Sequence, residues 1–443
     1  MALAKTLSLA LCVNLFVGLL CAPTFAQKKD NKSQLAPIPA APVTAYSEVR
    51  RDNLLNGFQI VSLERADAAN IQCDVIIRAG SMFDLTDKTG LAALTQAALM
   101  AVNPRVKEEF ESLNAKIDWG VTHDTTWFHL ESPPANFDTA MEIFSRLLIV
   151  ETIRPDAFKK AQADQLAKLK AAQPTLEQRA TEAFFAALYG AHPYGHNLDG
   201  NEKTINSMKA GDLFDYVKRF YLSNNAFAIV TGPVKHERLM RTFKTFMGGW
   251  TKGALTAATF RPPVRVAALN LIKLEADAPN VELRGGVLGV RIGEPDYLTT
   301  VVLGHVLLAR LKGEASGSLQ VHTPARMLPA PLAFAATLPA DQAQAVSRKV
   351  TDAFASLAAK EITADELAAA KAAVIETYAA HTPAQFLRDI ETFLLAKNYP
   401  LTVNQAINNI TAADAQRVAK RLLEANALTV VVAGRVNELK SQL

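Results

Sequence analysis

The stretch Ile205–Val234 aligns without a gap to Ile407–Val436, offset by the 202 positions that separate Ile205 from Ile407. Ten of the thirty positions are identical: Ile205 with Ile407, Asn206 with Asn408, Ala210 with Ala412, Asp212 with Asp414, Lys218 with Lys420, Arg219 with Arg421, Asn224 with Asn426, Val230 with Val432, Gly232 with Gly434 and Val234 with Val436. A repeat at so long a period points to two copies of one fold and argues against a solenoid of short units. Each copy closes alike, with a helical stretch and then a β-rich run (AFAIVTG, LTVVVAG) that ends in glycine.

A chain of 443 residues suits two or three domains. Hydrophobic residues at 49% and charged residues at 20% are an ordinary globular composition. We expect an α+β protein of two homologous domains, each an antiparallel sheet with helices packed on one face. The first domain spans residues 44–251 and the second 269–443, joined by a linker over 252–268 that carries Pro262-Pro263. Gln59–Leu63 and Cys73–Ile77 read as the first hairpin. Ile117–Leu130 (IDWGVTHDTTWFHL) reads as an alternating strand with His123 and His129 on one face.

Residues 1–26 read as a signal peptide: Lys5, an apolar run from Leu7 to Leu20, and Thr24-Phe25-Ala26 before the cut. The run is short for a spanning helix, so no stable membrane insertion is expected after cleavage. Cys21 raises a lipoprotein alternative, which the bulky Leu20 before it disfavours. Residues 27–43, rich in Lys and Pro, read as a flexible lead-in. Cleavage removes Lys5 and no acid, so net charge falls from +4 to +3, too little to imply nucleic acid. It also removes Cys12 and Cys21, leaving Cys73 without a disulfide partner. The expected location is the periplasm or outside the cell.

A strand ending in Arg78-Ala79-Gly80-Ser81 is followed by Asp84 and by Gly90-Leu91-Ala92. Further on come His192-Pro193-Tyr194-Gly195, Asp212-Leu213, Tyr216, Lys218-Arg219-Phe220-Tyr221, Asn224-Asn225 and Thr231-Gly232-Pro233-Val234. These landmarks, in this order, resemble the pitrilysin/insulinase metallopeptidase family, in particular the two-domain type that includes the mitochondrial processing peptidases. In that family the Gly-Leu-Ala is followed by H-x-x-E-H. Here the five residues are Ala93-Leu94-Thr95-Gln96-Ala97.

Two histidines at i and i+4 share a helical face and can bind one Zn²⁺. The glutamate between them takes a proton from zinc-bound water. Ala93 and Ala97 offer only methyl groups, and Gln96 cannot accept a proton near neutral pH. The resemblance places a third, glutamate ligand on the helix expected at Pro155–Gln173, where the matching position is Ala167 or Lys168. Asp164, one turn earlier, is a poor substitute. No catalytic residue, metal ligand or cofactor is therefore expected.

The resemblance implies other roles. The 117–130 strand would be the edge beside the zinc site and can hold a substrate peptide by strand addition; a sheet edge with no ligand is the other reading. Asp118 takes the place of the family's Asn, and Asp124 and Thr126 match its D-x-T. In the second domain Arg310-Leu311 matches an R-L. The substrate-binding Arg and Tyr that follow in active members fall near Ser316 and Thr323, so both groups are absent. The loop KGEASGS, with Gly313, Ser316 and Gly317, matches a Gly-rich loop that contacts substrate in noncatalytic processing-peptidase subunits. An ordinary surface loop is an equally good reading. His192 and His196 have helical ligand spacing, but Pro193 and Gly195 argue against a helix. Cys73, in an apolar strand without a base, reads as a structural thiol.

The leading expectation is an exported, noncatalytic homologue that pairs with an active zinc-bearing paralogue and completes a chamber around an unstructured peptide. The alternative is a homodimeric peptide-binding or scaffolding protein. A hydrolase using another centre is disfavoured, because no nucleophile–base set emerges from the sequence.

Overall fold

Strands from the two copies sort into two sheets of matching order. The structure is a computed structural model, and the residues described are 46, 48–150, 152–255, 260–266, 268–312, 318–424 and 427–436. All lie in one compact unit, Ala40–Leu443. The first sheet contains β1 (Arg50–Asn53), β2 (Gln59–Glu64), β3 (Ile71–Ile77), β4 (Lys116–Val121), β5 (Thr126–Ser132) and β6 (Ala226–Gly232), in the order β1-β2-β6-β3-β5-β4. The second contains β7 (Asn270–Glu275), β8 (Asn280–Leu288), β9 (Ser318–His322), β10 (Pro331–Pro339) and β11 (Thr429–Gly434), in the order β7-β11-β8-β10-β9. Apart from β1 the two orders are the same. Each sheet is antiparallel but for one pair at the equivalent place, β2 with β6 and β7 with β11.

The helices of the first copy are α1 (Leu91–Ala101), α2 (Val106–Ser112), α3 (Phe137–Leu148), α4 (Pro155–Ala171), α5 (Leu176–Tyr189), α6 (Glu202–Ser207), α7 (Ala210–Phe220) and α8 (His236–Met247). Those of the second are α9 (Tyr297–Leu311), α10 (Ala343–Ala359), α11 (Ala364–Ala379), α12 (Pro383–Phe393), α13 (Tyr399–Asn408) and α14 (Ala412–Leu422).

The repeated residues have physical reasons. Helices α7 and α14 begin and end at the repeat offset, and Asp212 and Asp414 cap them. Each carboxylate accepts the N–H of the residue before its helix, Lys209 at 2.8 Å and Thr411 at 3.0 Å. Gly232 and Gly434 end β6 and β11 with φ of 141° and 143°. A Cβ on Gly232 would stand 2.7 Å from the Asn70 carbonyl, and one on Gly434 3.1 Å from that of Asn280. Only glycine meets both conditions.

Two local expectations are corrected. The segments at β2 and β3 do not form a hairpin, because β6 lies between them and pairs with both. Nearly all of β6 is buried, so it belongs in the centre of the sheet. Residues 65–70 are enough chain to step the roughly 10 Å over one intervening strand. The alternating run 117–130 is two strands, β4 and β5, joined by a turn at Thr122–Thr125. The Thr122 N–H donates to the Thr125 carbonyl at 2.8 Å, and the Thr122 hydroxyl accepts from the N–H groups of Asp124 (3.1 Å) and Thr125 (2.9 Å). His123 therefore sits in the turn and His129 on β5, not on one strand face.

Helices cover both faces of each sheet, because the copies exchange one helix. On the first sheet α12 sets Leu387 among Val61, Leu63, Ile76, Phe227 and Ile229. Arg388 pairs with Asp74 at 2.8 Å, and Glu391 accepts from Arg51 (2.9 Å) and Gln59 (3.0 Å). On the second sheet α5 sets Ala180, Phe184 and Leu188 against Leu288, Ala333, Val431 and Ala433. The buried Arg284 reaches Thr181 of α5 at 3.1 Å and Glu282 at 3.1 Å. Each sheet is thus clasped by the other copy's helix as well as by its own.

Candidate functional site

Helix α1 starts where the chain must turn tightly. Gly90 has φ 92°, and a Cβ there would fall 2.8 Å from the Asp199 carbonyl. Asp84 closes the helix start by accepting from the N–H groups of Gly90 and Ala92, both at 2.8 Å. Burial pushes its carboxyl up to about 7, against the pull of those amides. The landmark Asp and the Gly-Leu-Ala thus set the helix start. Ala93 and Ala97 follow on α1, both half-buried.

Gln96 is 3% exposed, and its amide donates to the carbonyls of Gly120 on β4 and Trp127 on β5, both at 3.1 Å. The side chain therefore ties α1 to the β4–β5 hairpin. A carboxylate has no proton to give two carbonyl oxygens, so the bond pattern requires the amide.

On α4, Ala167 and Lys168 are exposed. Lys168 pairs with Asp199 at 2.7 Å, and Asp164 with Lys160 at 2.9 Å. The polar α4 residue that turns inward is Gln165, which donates to the Asp199 carbonyl at 2.7 Å. Among the described residues no three His, Cys, Asp or Glu side chains are grouped to hold a metal ion.

The residues matched to substrate binding separate. Asp118 is exposed on β4, the free edge of the first sheet, with its carboxylate on the N–H of Trp119 at 2.9 Å. Thr126 is fully buried, its hydroxyl donating to the Ala79 carbonyl at 2.8 Å. Asp124 is buried and accepts from the Tyr194 hydroxyl. Burial raises its carboxyl, while Tyr194 and Arg326 hold it back. Asp124 and Thr126 therefore build the framework, and Asp118 alone of the three lies on an open edge. Gly313, Ser316 and Gly317 lie outside the described residues. So do residues 1–43.

One junction had no signal in the sequence. Arg326, in the loop between β9 and β10, is buried and donates to His123 Nδ1 at 2.9 Å. Its guanidinium lies 4.9 Å from the centre of the Tyr194 ring. His123 Nε2 meets the His196 carbonyl at 3.2 Å, which sets the neutral tautomer with its proton on Nε2. Burial, and then the Arg326 charge, push this imidazole down to about 3. Tyr194 itself lies in a 3-10 turn, Pro193–Gly195, as the Pro and Gly suggested. The turn of the first sheet and the loop of the second thus meet on the H-P-Y-G tyrosine. A lone arginine in a Pro-rich loop carries no motif that could have revealed this.

A Ser–His–Asp chain also appears only in three dimensions. Ser62 Oγ lies 2.7 Å from His236 Nδ1, and His236 Nε2 lies 2.6 Å from Asp52. The spacing suits nucleophilic catalysis, but the setting does not. Ser62 is 4% exposed in the middle of β2, paired by β1 on one side and β6 on the other. No acyl group has a line of approach, and the chain instead pins the start of α8 to the sheet edge.

Two family descriptions match the sequence: "Insulinase (Peptidase family M16)" over residues 59–202, and "Peptidase M16 inactive domain" over 207–374. The probable mitochondrial-processing peptidase subunit beta of Schizosaccharomyces pombe is 21% identical over 272 residues, covering 60% of this chain and 60% of that protein. An uncharacterized zinc protease of Rickettsia bellii is 20% identical over 205 residues, 45% of this chain and 50% of that protein. The matched region thus spans less than two thirds of either relative. Among solved structures, a peptidase M16 inactive domain from Pseudomonas fluorescens has a TM-score of 0.78 at 20% identity, covering 87% of this chain and 97% of that one. The periplasmic protease PqqL from Escherichia coli has a TM-score of 0.76 at 15% identity, covering 92% of this chain and 50% of that one. At these identities the structural likeness is one of fold.

Proposed function

This chain belongs to the insulinase family of peptidases, M16, and on that premise we propose that it is an exported, noncatalytic member that holds extended peptide for an active zinc-bearing relative. The observation that carries the reading is Gln96. The residue in the place of the family's general base is consumed in two structural hydrogen bonds, between two alanines that cannot ligate zinc. What remains of the site is the free edge of β4, whose main-chain groups, apart from the Trp119 N–H that Asp118 holds, suit strand addition.

Pairing is supported by the relatives named as subunits of mitochondrial-processing peptidase. Export is supported by the signal-like residues 1–26 and by the likeness to a periplasmic protease. Two facing halves would enclose a peptide and orient its scissile bond better than one. The test is co-expression of a tagged chain with a family member that keeps H-x-x-E-H. Support is co-elution of the zinc-bearing protein together with faster peptide cleavage than it shows alone. A single-species dimer that binds peptide, with no effect on cleavage, would favour the homodimeric scaffolding reading. An effect that survives deletion of residues 313–318 would remove the KGEASGS loop from the site.

A further inference from the structure

Loss of the zinc ligands leaves a surface with a chemistry of its own. Ala93 and Ala97 are half-buried and stand one helical turn apart on α1. Gln96 lies on the same turn and bonds the β4 and β5 carbonyls, so this part of α1 is held against the hairpin of the free edge. On β4, Trp119 and Val121 are half-buried and, like Ala97, pack against the first copy's core. The ammonium of Lys107 lies 4.8 Å from the centre of the Trp119 ring. The nearby charges on α4 are already matched, Lys168 with Asp199 at 2.7 Å. The inward polar residue of that helix, Gln165, is neutral and donates to the Asp199 carbonyl.

We propose that this surface is an apolar subsite, and that the extended segment held on β4 places a large aliphatic or aromatic side chain over Ala93 and Ala97. The inference rests on the peptide-holding reading and names the class of peptide. Two arguments select this occupant. An edge strand offers main-chain donors and acceptors in a row, which only another extended backbone can match along its length. A floor of methyl groups repays burial of an apolar side chain and carries no charge of its own to hold a carboxylate or ammonium. An imidazole at either position would fill this space, so the subsite exists because the ligands are gone.

The test is fluorescence anisotropy with one extended, unstructured peptide whose central residue is Leu, Ala, Asp or Lys, using the full mature chain. The Leu peptide should bind about tenfold or more tighter than the Asp peptide, a difference on the order of one buried side chain. Ala93→Leu, which fills the space without adding charge, should remove most of that preference. Ala93→Asp should turn it toward the Lys peptide. Hydrogen exchange of residues 116–121 should slow on binding, which places the peptide on β4. Equal affinity for all four peptides, or an unchanged preference in both variants, would overturn the subsite while leaving peptide holding intact. No binding of any peptide would overturn both. Circular dichroism of each variant separates lost binding from lost folding.

Discussion

Gln96 donates its side-chain amide to the main-chain carbonyl of Trp127 at 3.1 Å, joining α1 to the strand next to the sheet edge. The same amide reaches Gly120 on the edge strand itself. The residue that the family resemblance aligns with a general base is thus part of the frame.

Gln96→Glu should therefore destabilise the fold rather than move it toward catalysis. A carboxylate would face two carbonyl oxygens in a buried place and leave both unsatisfied. The expected cost is about 1–3 kcal/mol near neutral pH. It should shrink in mild acid, because a protonated Glu can donate one bond again. Urea melts of the two proteins at several pH values check this. A variant as stable as the parent at every pH would mean that these bonds contribute nothing.

The His123 imidazole, held down to about 3 by burial and by Arg326, makes a pH prediction. Unfolded, it takes a proton near 6.5. Folded, it stays neutral until far lower. The stability it contributes is full above about 6.5 and is lost as pH falls toward 3, with a slope of up to about 1.4 kcal/mol per pH unit. His123→Asn keeps an acceptor for Arg326 and removes the titration. The variant's stability should fall less steeply than the parent's between pH 6 and 4. Equal slopes would show that His123 is exposed to protons in the folded state.

The repeat is legible in the sequence because a paired glycine and a paired helix-capping aspartate each meet a local backbone need that recurs wherever the fold recurs. Gly232 and Gly434, and Asp212 and Asp414, are matched by their spacing alone, and their backbone roles prove equivalent. The place of β6 is not legible, since apolar pattern marks a strand as buried without naming its neighbours. Nor is the helix exchange: periodicity shows that α12 has an apolar face, but not that Leu387 lies on the first copy's sheet. Within the site, the five letters Ala93-Leu94-Thr95-Gln96-Ala97 show directly that this stretch offers no imidazole or carboxylate. That Gln96 has found new partners, and that Asp124 and Thr126 face inward, depends on contacts from distant segments.

The exchanged helices predict how the two copies unfold. Leu387→Ala should cost about 2–5 kcal/mol, although the residue comes from the second copy and its contacts belong to the first. Glu391→Gln should weaken the tie to Arg51. In calorimetry the parent should unfold in one transition, because each sheet is incomplete without the other copy's helix. A parent that already unfolds in two transitions, with Leu387→Ala shifting only one of them, would show that the clasp does not couple them.

Elemental analysis of the purified mature chain after dialysis should find far less than one zinc per chain. Ala93, Ala97 and the α4 residues supply no ligand. A tightly held zinc that survives Ala substitution at His192 and His196 would contradict this.

The most direct test is turnover of an unstructured peptide library by the mature chain alone, with zinc added, with a chelator, and with Gln96→Ala as a control for contaminating peptidase. The expected result is cleavage at background in all three. Cleavage that needs the metal, stops with the chelator and disappears in Gln96→Ala would show a working metallopeptidase centre and contradict the noncatalytic assignment.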